Sequence, residues 1–177
     1  MERKSKSYSF RDKLRDSKDK NITKRISSIL IENIPGALEI SKVTQKEDSE
    51  GIDLWVNLYS GERISIDCKI RDEDWSIKNP PRDDLALETW SVVESNIVGW
   101  TLDVGEKTDY ILWFWIDTGR WCLIPFLMLN QVFRINKNKW IKIYQVSRQY
   151  TPEGNYHSEC VFVPREIVWG EIIRHYG

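Results

Sequence analysis

Histidine and cysteine are scarce in this chain of 177 residues, which has two of the first and three of the second. Cys68, Cys122 and Cys160 are odd in number, far apart and without a C-x-x-C pair. Their spacing offers neither a disulfide framework nor a thiolate zinc site, and a reducing, cytoplasmic setting is expected. His157 and His175 stand alone in the sequence, which disfavours zinc sites and histidine-dependent nuclease chemistry. No apolar run reaches the ~18 residues that a spanning helix needs, and the N-terminus has no apolar signal segment, so no membrane partner is expected. There is no fixed-period repeat and no low-complexity linker.

Apolar residues make up 41% of the chain, with nine Trp, seven Tyr and five Phe. That supplies enough buriable surface for a packed core and excludes a disordered polypeptide. The length suits one domain, expected over residues 20–177, behind a polar leader at 1–19. Charge is nearly balanced overall, yet the first twenty residues hold eight basic and four acidic side chains. A solvated terminus and a nucleic-acid-contacting arm fit that segment equally well.

Ile22, Ile26, Ile29 and Leu30 recur at helical spacing and Pro35-Gly36 ends the pattern, which predicts a first helix from about Lys20 to Asn33. Strands are expected over Ala37 to Thr44, Gly51 to Tyr59 and Glu62 to Arg71, with a turn at Gln45 to Glu50. Arg71 to Asp84 is charged, contains Pro80-Pro81 and reads as a surface loop. Leu85 to Val93 suits strand or helix. Asp109 to Ile116 is apolar on both alternating faces and is expected as a central strand. A short helix should follow Pro125, with Phe126, Leu129, Val132 and Phe133 as its stripe. Trp140 to Val146 and Glu159 to Val163 read as strands, and Pro164 opens a last helix through Ile173. The class is α/β or α+β, with one mixed central sheet flanked by helices.

The third strand carries the chemistry. Ile64, Ile66, Cys68 and Ile70 alternate with Arg63, Ser65, Asp67, Lys69 and Arg71, so one face is apolar and the other polar or ionic. In the preceding strand Ile52, Leu54, Val56 and Leu58 alternate with Asp53, Trp55, Asn57 and Tyr59. A two-residue turn at Ser60-Gly61 would oppose Leu54 and Asp67 and mix the faces. A three-residue loop of Tyr59, Ser60 and Gly61 pairs Asn57 with Arg63 and Asp53 with Asp67, and sets Gly61 where a bulge favours a left-handed residue.

Two carboxylates then face each other with β-carbons about 4.5–5.5 Å apart, where like charges repel unless compensated. A hard divalent cation compensates them, and Lys69 lies on the same face. A metal and an ammonium beside paired carboxylates can hydrolyse a phosphodiester: the ion activates water and offsets charge, and the lysine positions the water or stabilises the transition state. The plainer alternative is a solvated sheet face in which Lys69 neutralises two acids.

Ile52-Asp53, thirteen intervening residues and Asp67-Cys68-Lys69, in an α-β-β-β frame, resemble the PD-(D/E)XK nuclease superfamily over roughly Lys20 to Arg71. The resemblance implies a restriction-endonuclease-like fold and a deoxyribonuclease of endonuclease or junction-resolvase type. Asp53 and Asp67 would hold Mg²⁺ (with Mn²⁺ able to substitute), the Cys68 backbone carbonyl would be a further ligand, and Lys69 would serve the water. Ile52 departs from the family's proline. Many members add a helix-borne Glu; Glu32 occupies the first helix here, while Glu88 is an acid in an apolar segment, where burial demands a partner, and is favoured as the further catalytic and metal-binding acid.

Arg71, Trp75, Lys78 and Arg82 interleave cations with an aromatic ring after the third strand and are expected to contact DNA phosphates and bases. Trp90 and Trp100 also flank the site in sequence, though core packing is the usual fate of tryptophan. Asp109 reads as a strand-end residue. DNA is the expected partner, a homodimer is common in the resembled family, and phage or mobile-element biology is a frequent setting. The competing reading is a catalytically silent nuclease-fold protein that binds nucleic acid or a protein.

Overall fold

The computed structural model describes residues 20–105, 107–152 and 154–177; the polar leader expected at 1–19 lies outside them. The chain divides into two compact units, one of residues 20–83 with Val104–Leu129, the other of Asp84–Asp103 with Asn130–Gly177.

The first unit opens with α1 (Lys20–Asn33), β1 (Ala37–Lys42) and the short α2 (Gln45–Ser49). It continues with β2 (Leu54–Leu58), β3 (Arg63–Arg71), β6 (Tyr110–Trp115) and β7 (Trp121–Pro125). These strands form one mixed sheet in the order β1-β2-β3-β6-β7, in which only β3 and β6 run parallel. Ile22, Ile26, Leu30 and Ile34 of the α1 segment are buried with Val56, Ile66, Leu112 and Phe114 in one core cluster. The i, i+4, i+8 spacing that predicts α1 is therefore the stripe that packs on the even-numbered face of the sheet. Inner strand β6 is buried on both faces from Ile111 to Trp115, in keeping with its apolar residues on both alternating faces.

The β2–β3 connection has the expected register. Asn57 opposes Arg63 and Leu54 opposes Ile66, the Asp53 N–H donates to the Ile66 carbonyl at 2.9 Å, and Gly61 has φ 86°. A side chain at that φ is strained, so glycine is the residue that closes this loop without cost.

The second unit holds β4 (Asp84–Val92), β5 (Ile97–Val98), β8 (Val146–Thr151) and β9 (Tyr156–Pro164) in an antiparallel sheet ordered β5-β4-β9-β8. The helices α3 (Phe126–Ile143) and α4 (Arg165–Tyr176) complete the chain. The expectation of one mixed sheet needs correction, because there are two. The open segment Leu85 to Val93 is strand: Leu85, Leu87 and Thr89 are buried in alternation. Thr89 is accommodated because its hydroxyl donates to the Glu159 carbonyl at 3.0 Å.

The strand expected from Trp140 to Val146 also needs correction. Trp140 belongs to α3, where Leu129, Val132, Phe133, Asn136 and Trp140 are buried at helical spacing. Asn136 sits in that stripe at little cost, since its amide donates to the Val132 carbonyl one turn back at 3.1 Å. The strand starts only at Val146. The described residues thus form four α-helices and two sheets, an α+β arrangement, and none of those helices is long and apolar enough to cross a membrane.

Candidate active site

Asp67 and Lys69 are two residues apart on β3 and so share a face; Asp53 precedes β2 by one residue and meets them there. Asp67 is buried at 5% exposure. The Lys69 ammonium lies 2.5 Å from Asp67 Oδ2. The Asp53 and Asp67 carboxyls lie close enough to influence each other, and Asp53 Oδ2 accepts the Cys68 N–H at 2.6 Å. Asp53, Asp67 and Lys69 are therefore one cluster inside the first unit.

Its electrostatics are those of two acids forced together. Burial, reinforced by the Asp67 charge, pushes the Asp53 carboxyl up to about 7, and the Cys68 N–H only partly offsets this. Burial alone would lower the Lys69 ammonium, but Asp67 and then Asp53 outweigh it and hold it above the ordinary lysine value. Burial, then the two carboxylates, raises the Cys68 thiol well above its usual range, so Cys68 offers the site no thiolate. The site can hold a cation and already carries one fixed ammonium.

Glu88 is in the second unit, where its carboxylate accepts the Ser91 hydroxyl at 2.7 Å and the Trp100 N–H at 3.1 Å. Glu32 is exposed on α1. Among the described residues no three His, Cys, Asp or Glu side chains gather at metal-holding spacing. Asp109 is the strand-end residue expected: its Oδ2 accepts both the N–H and the hydroxyl of Ser65 at 2.8 Å. Trp90 packs under the Lys137 ammonium at 4.8 Å. His157 is half-buried and pairs with Glu94 at 2.6 Å, and His175 is exposed on α4.

Arg71 ends β3, and Trp75, Lys78 and Arg82 occupy the loop beyond it. Trp75 opens a 3₁₀ turn capped by Asp74, and Trp75 and Ile77 are 45% and 65% exposed. What fixes this loop is a residue that sequence reasoning missed. Arg120 grips Asp74 with two bonds of 2.7 and 2.9 Å, reaches Asp83 at 2.8 Å and lies 4.1 Å over the Trp115 ring. Asp74 is fully buried; burial pushes its carboxyl up, but Arg120, Ser76 and Thr118 more than compensate and hold it far below the usual carboxylate range. No local pattern could pair Arg120 with an acid 46 positions away. No family model, curated protein or solved structure matches the chain.

Proposed function

We propose that the chain is a Mg²⁺-dependent deoxyribonuclease of the PD-(D/E)XK type, built on a restriction-endonuclease-like α1-β1-β2-β3 core. The observation that carries the reading is the register that sets Asp53 beside Asp67, next to the Lys69 ammonium. Lys69 offsets one of the two acids, and ionising the second as well is costly without a further cation, so the donor set suits a hard divalent ion. Asp53, Asp67 and the Cys68 carbonyl would hold it. A bound Mg²⁺ supplies an activated water and offsets charge at the phosphoryl group.

The chain's own part follows from its geometry. Asp67 keeps Lys69 in place and cationic, so Lys69 acts as a positioning and charge-stabilising group rather than as a base. Trp75, Lys78 and Arg82, on a loop locked by Arg120, lie beyond the same strand and would contact the DNA. Glu88 is not needed by this reading, because its carboxylate is engaged within its own unit. A second reading, a catalytically silent nuclease-fold binder, draws on the Lys69–Asp67 ion pair, which neutralises one acid without an ion.

Linear, nicked, single-stranded and branched DNA, and RNA, incubated with Mg²⁺ or Mn²⁺, separate the two. Cleavage by the wild type, abolished in Lys69→Ala and in Asp67→Ala with DNA binding retained by Lys69→Ala, is the expected result. No cleavage of any substrate, with both variants binding DNA as the wild type does, overturns the nuclease reading in favour of the binder.

A further inference from the structure

The odd-numbered face that carries Asp67 and Lys69 continues toward the start of β3, where Ser65 opposes Trp55 and Arg63 opposes Asn57. Trp55 is fixed there. Its indole N–H donates to Glu47 Oε1 at 3.0 Å, and Glu47 is held in turn by a capping box in which its other oxygen accepts the Thr44 N–H and hydroxyl at 2.7 and 2.8 Å. The Arg63 guanidinium lies 4.3 Å over the indole ring. That stacking orients the guanidinium and engages its plane, but it uses none of the N–H donors, which lie in the plane. Arg63 is exposed, and among the described residues no carboxylate lies within ion-pair distance of it.

Because the guanidinium is drawn over Trp55, it sits level with Ser65, two residues and so roughly 7 Å along the strand from Asp67. That is too far to touch the group reacting at Asp67 and Lys69 and near enough to take the neighbouring phosphate of the same strand.

We propose that Arg63, laid on Trp55, is a phosphate-binding subsite on the Asp67–Lys69 face that grips the nucleic-acid strand one phosphate away from the scissile one. The proposal rests on the nuclease reading for the position of the scissile phosphate, but not for the existence of the subsite. One feature favours a phosphate as the occupant: preorganised in-plane donors suit bidentate contact with its oxygens, and Glu47, the acid near enough for Arg63 to help lower its carboxyl, is held instead by Thr44 and the Trp55 indole. Trp55 acts through Arg63 as a positioning residue.

The test uses the full chain and oligonucleotides in which one phosphate at a time, at each position along the strand, is replaced by a neutral methylphosphonate. Binding is measured by fluorescence anisotropy in EDTA and cleavage in Mg²⁺. Arg63→Ala should weaken binding about tenfold, as loss of one charge-assisted contact does, and lower the salt slope by about one. One methylphosphonate position should cost the wild type the same factor and cost Arg63→Ala nothing, with Arg63→Lys partly restored and Trp55→Phe intermediate. Equal losses at every position in both proteins, or wild-type behaviour of Arg63→Ala, overturn the subsite. Position-specific coupling in binding without cleavage by the wild type keeps the subsite and removes the nuclease reading; cleavage without coupling does the reverse, and neither binding nor cleavage removes both.

Discussion

Replacing Asp53 by asparagine should make the metal-free protein more stable at pH 8 and leave it unchanged at pH 4. The folded carboxyl sits at about 7 against an ordinary 3.8, so between those values the folded state holds a proton that the unfolded state has released. Stability therefore falls as pH rises through this window and is lowest above it. Each pH unit of difference is worth about 1.4 kcal/mol, which bounds the penalty at about 4 kcal/mol at pH 8. The proton is shared with Asp67, so part of that figure belongs to the pair. Asparagine has the shape of the protonated acid, keeps an oxygen for the Cys68 N–H and offers an N–H to Asp67. Urea unfolding in EDTA from pH 4 to 8.5 measures the effect: the variant's midpoint should stay flat where the wild type's declines, with equal slopes. An Asp53→Asn variant no more stable than the wild type at pH 8 would refute the claim that a buried Asp53 carboxylate beside Asp67 strains the apo site.

The same linkage makes divalent-ion binding proton-coupled: Mn²⁺ affinity, read by calorimetry, should rise about tenfold per pH unit below 7 and level off above, and Asp67→Ala should abolish it. Arg120→Ala strands the buried Asp74 carboxylate and should cost about 3–5 kcal/mol in chemical denaturation, with the exposed Trp75 losing fluorescence anisotropy as its loop loosens. Gly61→Ala should cost about 1–2 kcal/mol from backbone conformation alone, since a β-carbon there meets nothing within 4 Å; an unchanged stability would show that the β2–β3 loop adopts another turn.

What was legible in the sequence is what repeats locally. Alternation along β3 separated the ionic from the apolar face, and the need to keep faces matched across the ladder selected the Gly61 loop and the Asn57–Arg63 register. Helical spacing in Ile22, Ile26 and Leu30 marked the buried stripe of α1. Failures occurred where a local signal was ambiguous or a partner was distant. Trp140 to Ile143 carries β-prone residues, yet its register continues the stripe of Phe133 and Asn136, and the polar Asn136 disguised that continuity. The second sheet pairs Asp84 with Pro164 across most of the chain's second half, and no local periodicity encodes such a pairing. The Arg120–Asp74 lock is hidden for the same reason. Glu88 showed correctly that an acid in an apolar strand needs a partner; the partners are the Ser91 hydroxyl and the Trp100 N–H of its own unit.

Crystals grown at pH 8 with Mn²⁺, measured at the manganese absorption edge, test the central assignment most directly. An anomalous peak within coordination distance of both Asp53 and Asp67, missing in Asp67→Ala, is the expected result. A peak elsewhere, or Lys69 drawn between the two carboxylates with no ion bound at saturating Mn²⁺, would contradict it.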